Sequence, residues 1–434
     1  MIGVVGIVFA VSLILGLPIG VAIILSSLTP SFMDPSFLAN AQYVIRSMLT
    51  GLDSTPLLAV PMFMLSGAIM AKGGISEKLF NVFAFFLGKK TAGMPCAVIV
   101  TCLFFGAISG SGPATCAAVG SMTIPVLVRL GYDKVFAAAI CATAGGLGVI
   151  IPPSIPFILY GLSTGTSVGD LFLAGIIPGI LIACSLMTYA YIYCKKHGED
   201  KEKIAKNHAA LKAKGLSGLL KESFWAILTP VIILGGIYGG LATPTEAATI
   251  SVAYSLIVCL FIYRSITVTG LSKFLVEACK SYAPLLLLFM SANAFGRVLT
   301  LTGAPQDLAV WILATFGGNP MLFMYAFMVV LLIIGMFMDV APAILILGPM
   351  LVPALSAMGL NSVYVGVVMV VALAIGFVTP PFGVNLFVAA PMGDTKVMTL
   401  AKMALPFIIA FIISLIIIVA FPPLSLLLTS QSTF

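Results

Sequence analysis

Glycine and proline are the residues that a regular helix tolerates least, and this chain places them at the same points of two long apolar stretches. The first reads GAISGSGPAT from Gly106, and 229 residues later the second reads GMFMDVAPAI from Gly335, so that Gly106 matches Gly335, Pro113 matches Pro342 and Asp339 takes the place of Gly110. With one residue dropped, Pro125 falls opposite Pro353, Gly131 opposite Gly359, Gly148 opposite Gly376, Pro152-Pro153 opposite Pro380-Pro381, Gly165 opposite Gly393 and Pro178 opposite Pro406. Upstream, Gly74, Leu79 and Gly88 face Gly303, Leu308 and Gly317. A chain so punctuated must interrupt its helices twice, in one pattern.

The setting of those breaks is hydrocarbon. Residues are 61% hydrophobic and only 8% charged, against about 25% charged in soluble domains. Apolar runs over roughly 3–27, 56–71, 171–194, 245–263 and 402–428 reach the ~20 residues that span a bilayer as helix. They lack the period of two of barrel strands, which predicts an all-α polytopic membrane protein. Residues 1–27 have no basic n-region and too long an apolar stretch for a cleaved signal, so they read as one retained span. Eight cysteines are scattered without CxxC spacing, which points to neither a disulfide frame nor a metal cluster.

Between Lys195 and Glu222 lie eight lysines against four carboxylates. Under the positive-inside rule this linker, residues 195–223, is cytoplasmic; it is too short and too mixed in sign for nucleic acid. It separates a first repeat, 1–194, from a second, 224–434. Each is expected to hold a hairpin (about 93–129 and about 321–358) followed by a broken helix (about 134–164 and about 362–391). The arms of the first hairpin are apolar for ~15 residues, or ~22 Å of helix, too short to cross alone, so a re-entrant hairpin with its tip at 109–113 is the natural solution. The repeats run parallel or inverted according to the parity of their spans, and inverted repeats are the favoured reading.

Each Pro-Pro pair removes two N–H donors and unwinds its helix, leaving nearby carbonyls without partners in a medium where each such group costs several kcal/mol. Carbonyl and hydroxyl oxygens at such breaks suit Na⁺, and half-helix N-termini suit an anion. Two copies predict two cation sites, or more. One is expected to use Ser109 and Ser111 with carbonyls near Gly148, Ile151 and Pro153; the other Met338, Asp339 and Val340 with carbonyls near Gly376, Thr379 and Pro381. Helix kinking and close packing are the plainer use of the same residues. Ser154, Thr379 and Asn385 stand beside the breaks as candidate substrate contacts or as packing hydrogen bonds. Arg297 is either a counter-charge for a substrate carboxylate or, the plainer reading, an interfacial side chain that snorkels. Glu246 fits a capping box with Thr243. No GxSxG, HExxH, GxxxxGK[ST] or GxGxxG pattern occurs, and both histidines lie in the linker, so an enzyme is not expected. A channel is the main alternative, although channels usually build their pore by oligomer symmetry.

Taken together, GAISGSGPATCAAVGSMTIP, GVIIPPSIPFILYG, LATPTEAATI, GMFMD and GFVTPPFGVNLF resemble the large membrane subunit of tripartite ATP-independent periplasmic (TRAP) transporters. The resemblance implies an elevator-type, Na⁺-driven carrier in a bacterial inner membrane. It also implies a soluble periplasmic binding protein that delivers an organic acid anion, and a small four-helix membrane subunit, expected here as a separate partner and not as a fused segment. It carries the family's cation ligands onto Ser109, Ser111, Gly148, Ile151, Pro153, Gly376 and Thr379. Overall likeness favours a sialic acid over a C4-dicarboxylate; a stand-alone carrier is the other option.

Overall fold

The structure, a computed structural model, describes residues 2–429. It opens with α1 (Ile2–Ile14) and α2 (Ile19–Met33) rather than the single span expected over 1–27. Gly16 adopts a left-handed φ of 76° and Pro18 follows it, which ends one helix and starts the next. Then come α3 (Ala41–Leu52), α4 (Ala59–Lys72), α5 (Ile75–Leu87), α6 (Gly93–Ser109), α7 (Gly112–Arg129), α8 (Lys134–Gly145), α9 (Ile155–Thr164) and α10 (Val168–His197). The linker region forms α11 (Lys201–Lys214) and leads into α12 (Leu216–Tyr238) and α13 (Pro244–Ile257). The remainder is α14 (Val268–Leu301), α15 (Ala304–Phe316), α16 (Pro320–Phe337), α17 (Val340–Ala357), α18 (Ser362–Gly376), α19 (Val384–Met392), α20 (Val397–Ala420) and the short α21 (Pro423–Leu426). No strand occurs among the described residues, and eight helical stretches are long and apolar enough to cross a membrane.

The series α4 to α10 is repeated in order by α14 to α20. Gly74 and Gly303 start α5 and α15 in the left-handed region, and Gly131 and Gly359 follow α7 and α17 in the same conformation. The hairpin arms are 17 or 18 residues long, more than the apolar runs alone predicted, because each helix continues through its polar ends.

The core lies where the repeats interlock. Along α8 every residue from Phe136 to Gly145 is buried, and along α18 every residue from Val363 to Gly376; a helix apolar all round belongs at a centre. α9 packs along α17 of the other repeat, α19 along α7 and α8, and α20 along α8 and α10. At the periphery α4 is held to α13 by the Ser66 hydroxyl, which bonds those of Ser251 and Ser255, a polar contact between otherwise apolar helices. Exposed Val231, Phe261, Ile333, Ile409 and Ile413 face outward, as lipid contact requires.

Candidate cation and substrate sites

In the first repeat α8 gives way to a 3-10 turn, Gly146–Val149, and the chain is non-helical from Ile150 to Ser154, with Pro152-Pro153 cis, before α9 begins. The cause is local: Pro152 and Pro153 supply no N–H to the preceding turn. Among the described residues, no N–H or hydroxyl donates to the carbonyls of Gly148, Ile151 or Pro153. Residues 141–161 are buried throughout.

The tip of the first hairpin lies against this break. Gly110, left-handed at φ 62°, accepts a hydrogen bond at its carbonyl from Ile155 N, and a Cβ on Gly110 would stand 2.9 Å from the Pro153 oxygen. A Cβ on Gly148 would stand 2.4 Å from the Thr115 hydroxyl and 2.7 Å from the Ser111 oxygen. The Ser109 hydroxyl is 2.8 Å from that of Thr115. Ser109, Ser111, Gly148 and Pro153 are therefore brought together. Ile151 turns its side chain onto Gly179 of α10. Thr115 escaped the sequence reading; its signal is the spacing of four from Ser111, one face of a helix start.

The second repeat breaks between α18 and α19, with Pro380-Pro381 cis, but its bonding differs. Gly376 already accepts from Thr379 N, and Phe377 from Asn385 N, while the Thr379 hydroxyl donates to Ile375 O at 2.8 Å. Hairpin and break meet through Phe382 N, which donates to Met336 O at 3.1 Å, and through Gly335 against Gly376. Among the described residues no hydrogen bond joins Met338, Asp339 or Val340 to Gly376, Thr379 or Pro381. Pro381 is exposed and Thr379 half-buried, so this break is the open one.

Helix ends correct one sequence equivalence. Asp339 stands where α17 is capped, its carboxylate accepting Val340 N at 2.7 Å, and the residue that precedes the matching helix α7 is Ser111, not Gly110. The extra residue of the first copy lies within the tip, where α6 ends on its left-handed Gly110; α16 ends on extended Met338 instead.

Of the candidate substrate contacts, Ser154 is fully buried and caps α9, accepting from Phe157 N and donating to Val149 O. Asn385 is buried between repeats: its Nδ2 donates to Ala142 O at 2.9 Å and its Oδ1 has no donor among the described residues. Arg297 lies elsewhere, exposed on α14 at a cavity of about 220 Å³ whose walls include Ser163 at the end of α9 and Leu345 and Pro349 on α17. No carboxylate pairs with it among the described residues. Asn293, one turn earlier in the same wall, buries an Oδ1 that has no donor among the described residues. That residue was also missed, though SANAFGR sets it four before Arg297, on one helix face. Glu246 forms the expected capping box with Thr243.

Chemically, the first break offers neutral oxygens and the α14 cavity offers a cation with an amide. No cluster of three His, Cys, Asp or Glu exists among the described residues. Comparison with known proteins agrees with a carrier. Residues 6–424 match the family described as the tripartite ATP-independent periplasmic transporter, DctM component. The chain is 42% identical over 415 residues to the isethionate TRAP transporter permease protein DctMQ of Oleidesulfovibrio alaskensis, covering 96% of this chain but only 64% of that relative. It is 40% identical to the C4-dicarboxylate TRAP transporter large permease protein DctM of Pseudomonas aeruginosa, over 86% of each chain. It is 35% identical to the sialic acid TRAP transporter large permease protein SiaM of Vibrio cholerae, over 95% of each. A crystal structure of the Alcanivorax borkumensis YdaH transporter shares the fold, with a TM-score of 0.60, 18% identity and 91% of each chain covered. These relatives are transporter permeases rather than enzymes, and the chain is a multi-pass membrane protein that belongs to the DctM component family of tripartite ATP-independent periplasmic transporters.

Proposed function

We propose that this chain imports an organic acid anion by Na⁺-coupled alternating access of the elevator type. It would work with a small four-helix membrane subunit and a soluble periplasmic binding protein, in a bacterial inner membrane with residues 195–223 in the cytoplasm. One observation carries the reading: at the buried first break the carbonyls of Gly148, Ile151 and Pro153 have no donor among the described residues, and Gly148 and Pro153 lie beside the Ser109–Thr115 tip. Several kcal/mol per unpaired group at membrane depth is recovered when a cation takes those oxygens. The second break, with Thr379 and Pro381, would hold the other ion, with Asp339 capping the second arm of the hairpin that meets it.

Coupling stoichiometry follows from charge. One Na⁺ with a monoanion is neutral, whereas each further net charge gains ~2.3 kcal/mol per 100 mV, so two or more ions drive accumulation. Arg297 with Asn293 in the α14 cavity suits a carboxylate or sulfonate, as a guanidinium donates two parallel N–H bonds to the oxygens of either. The relatives' names, isethionate, C4-dicarboxylate and sialic acid, share only an acid group. Substrate class is thus an organic acid, and no residue here favours the sialic acid expected from overall likeness.

The test is uptake into proteoliposomes containing both membrane subunits, with the binding protein loaded in turn with each acid of a panel. Accumulation that requires inward Na⁺, saturates and needs the binding protein is the expected result. Equilibration without Na⁺ would identify a channel, and accumulation without the binding protein a stand-alone carrier.

A further inference from the structure

Far from the breaks, α11 folds back on the base of the first hairpin. Ile204, His208 and Leu211 are buried against α5 and its surroundings, with His208 Nε2 3.2 Å from Phe85 O and its ring stacked on Phe85. The Glu199 carboxylate accepts Ala92 N at 3.1 Å on both oxygens and the Tyr132 hydroxyl. Burial, and then that carboxylate, hold the Tyr132 phenol above its ordinary range, so it remains a donor.

Beside this clamp is a cavity of about 570 Å³. Its rim carries Lys89 and Lys90 from the end of α5 and Lys201 and Lys212 from α11, none in an ion pair among the described residues. Two other linker lysines are paired, Lys203 with Asp200 and Lys206 with Glu202. The one carboxylate in the wall, Glu199, is held by the Ala92 N–H and the Tyr132 hydroxyl, so the cavity sets four lysines against a single anion. Ile204, Ala205 and Ala209 give it an apolar floor.

Depth is fixed by the neighbours. α10 and α12, both long and apolar enough to cross a bilayer, end and begin at this segment, which sets α11 at headgroup level. Phe86, Leu216 and Leu220 are exposed around it. Four unpaired cations above an apolar floor at the edge of the hydrocarbon match a ligand with a phosphate at one end and an acyl chain at the other. We propose that this cavity binds the headgroup of an anionic phospholipid, whose phosphate is shared by the four lysines and whose glycerol and acyl carbons rest on Ile204, Ala205 and Ala209.

The full chain, purified in detergent, is titrated with short-chain phosphatidylglycerol, with phosphatidylcholine of equal chain length and with inorganic phosphate, and bound molecules are counted by native mass spectrometry. Basic groups near a headgroup each add measurably to anionic-lipid affinity, so phosphatidylglycerol is expected to bind at least about tenfold tighter than phosphatidylcholine. Lys89→Gln/Lys90→Gln and Lys201→Gln/Lys212→Gln, all at exposed positions, should each remove about threefold or more of that preference, and the matching Lys→Arg pairs should keep it. Lys273→Gln/Lys280→Gln on α14 should leave it intact. Equal binding of both lipids, or a preference unaffected by either linker pair, overturns the proposal. So does inorganic phosphate that displaces the lipid at equal concentration, which would make this a site for soluble phosphate.

Discussion

Gly376 and Gly335 make a paired test of how closely hairpin and broken helix must approach. A methyl group on Gly376 would stand 2.2 Å from the Gly335 oxygen and 2.8 Å from its Cα, whereas one on Gly335 would stand 3.4 Å from the nearest atoms, an ordinary contact. The two substitutions add the same atom to one interface, yet only Gly376→Ala requires a displacement, of about 1.2 Å if 3.4 Å is to be restored. Backbone on both sides leaves no flexible side chain to yield, so the cost falls in the overpacking range of about 1–3 kcal/mol. Gly376→Ala should therefore lower Tm in detergent by several degrees, while Gly335→Ala should leave it nearly unchanged. In the first repeat the order differs: a methyl on Gly106 would meet the Gly148 Cα at 2.7 Å, and one on Gly148 would meet the Thr115 hydroxyl at 2.4 Å, so both are expected to destabilise. Thermal unfolding of the four single variants, followed by tryptophan fluorescence, is the assay. Equal losses for Gly335→Ala and Gly376→Ala would refute the claim that backbone contact at this crossing sets the fit.

Ser109→Ala and Thr115→Val should each raise the Na⁺ concentration for half-maximal uptake without unfolding the protein, because each removes an oxygen beside Gly148; Thr379→Ala should do the same for the second ion, read from Na⁺ titrations at saturating substrate. Arg297→Gln should raise KM for the acid by about tenfold or more, the scale of a lost charge-assisted bond, and Asn293→Leu should raise it less; unchanged KM in both would detach the α14 cavity from substrate. Glu199→Gln should weaken the clamp on Ala92 N and the Tyr132 hydroxyl by about 1–3 kcal/mol, seen as faster proteolysis of the linker. Asp200 caps α11, and the Lys203 N–H followed by its ammonium holds this carboxyl below its ordinary value. Its contribution is complete above about pH 4 and is lost as pH falls through the lowered native value, so protection of the Lys203 amide, measured against its intrinsic exchange rate at each pH, should fall only under acid conditions.

Where the sequence was legible, the reason was steric. Two successive prolines inside a helical run stop the helix, so the break between α8 and α9 follows from Pro152-Pro153 and that between α18 and α19 from Pro380-Pro381. Gly16 and Pro18 carried the same information at the N-terminus, but continuous hydrophobicity through residues 3–27 masked it, and one span was expected where α1 and α2 stand. Side-chain partners were less legible, because they depend on which helices meet. Ser154 and Asn385 both adjoin breaks, yet one caps its own helix and the other reaches Ala142 of the opposite repeat. The crossing of α19 onto α8 leaves no mark on either sequence segment.

The duplication is closer in backbone than in chemistry, and its single missing residue shows why. In the first copy α6 runs three residues past Gly106 and closes on left-handed Gly110, which lets the tip turn inward until its carbonyl receives Ile155 N. In the second, α16 runs two residues past Gly335 and ends on Met338 in extended conformation, so the break bonds back to Met336 instead. Serine and threonine hydroxyls consequently gather at the buried first break, while the exposed second break relies on Thr379 and on the Asp339 cap for its polarity. Restoring the residue in the second copy, by inserting glycine after Phe337, should move Asp339 toward the break and tighten Na⁺ binding there while leaving the first ion's affinity unchanged. Two resolved Na⁺ isotherms, of which only one shifts, are the expected result; a shift in both would show that the two breaks are coupled through α19 and α8 and do not bind independently.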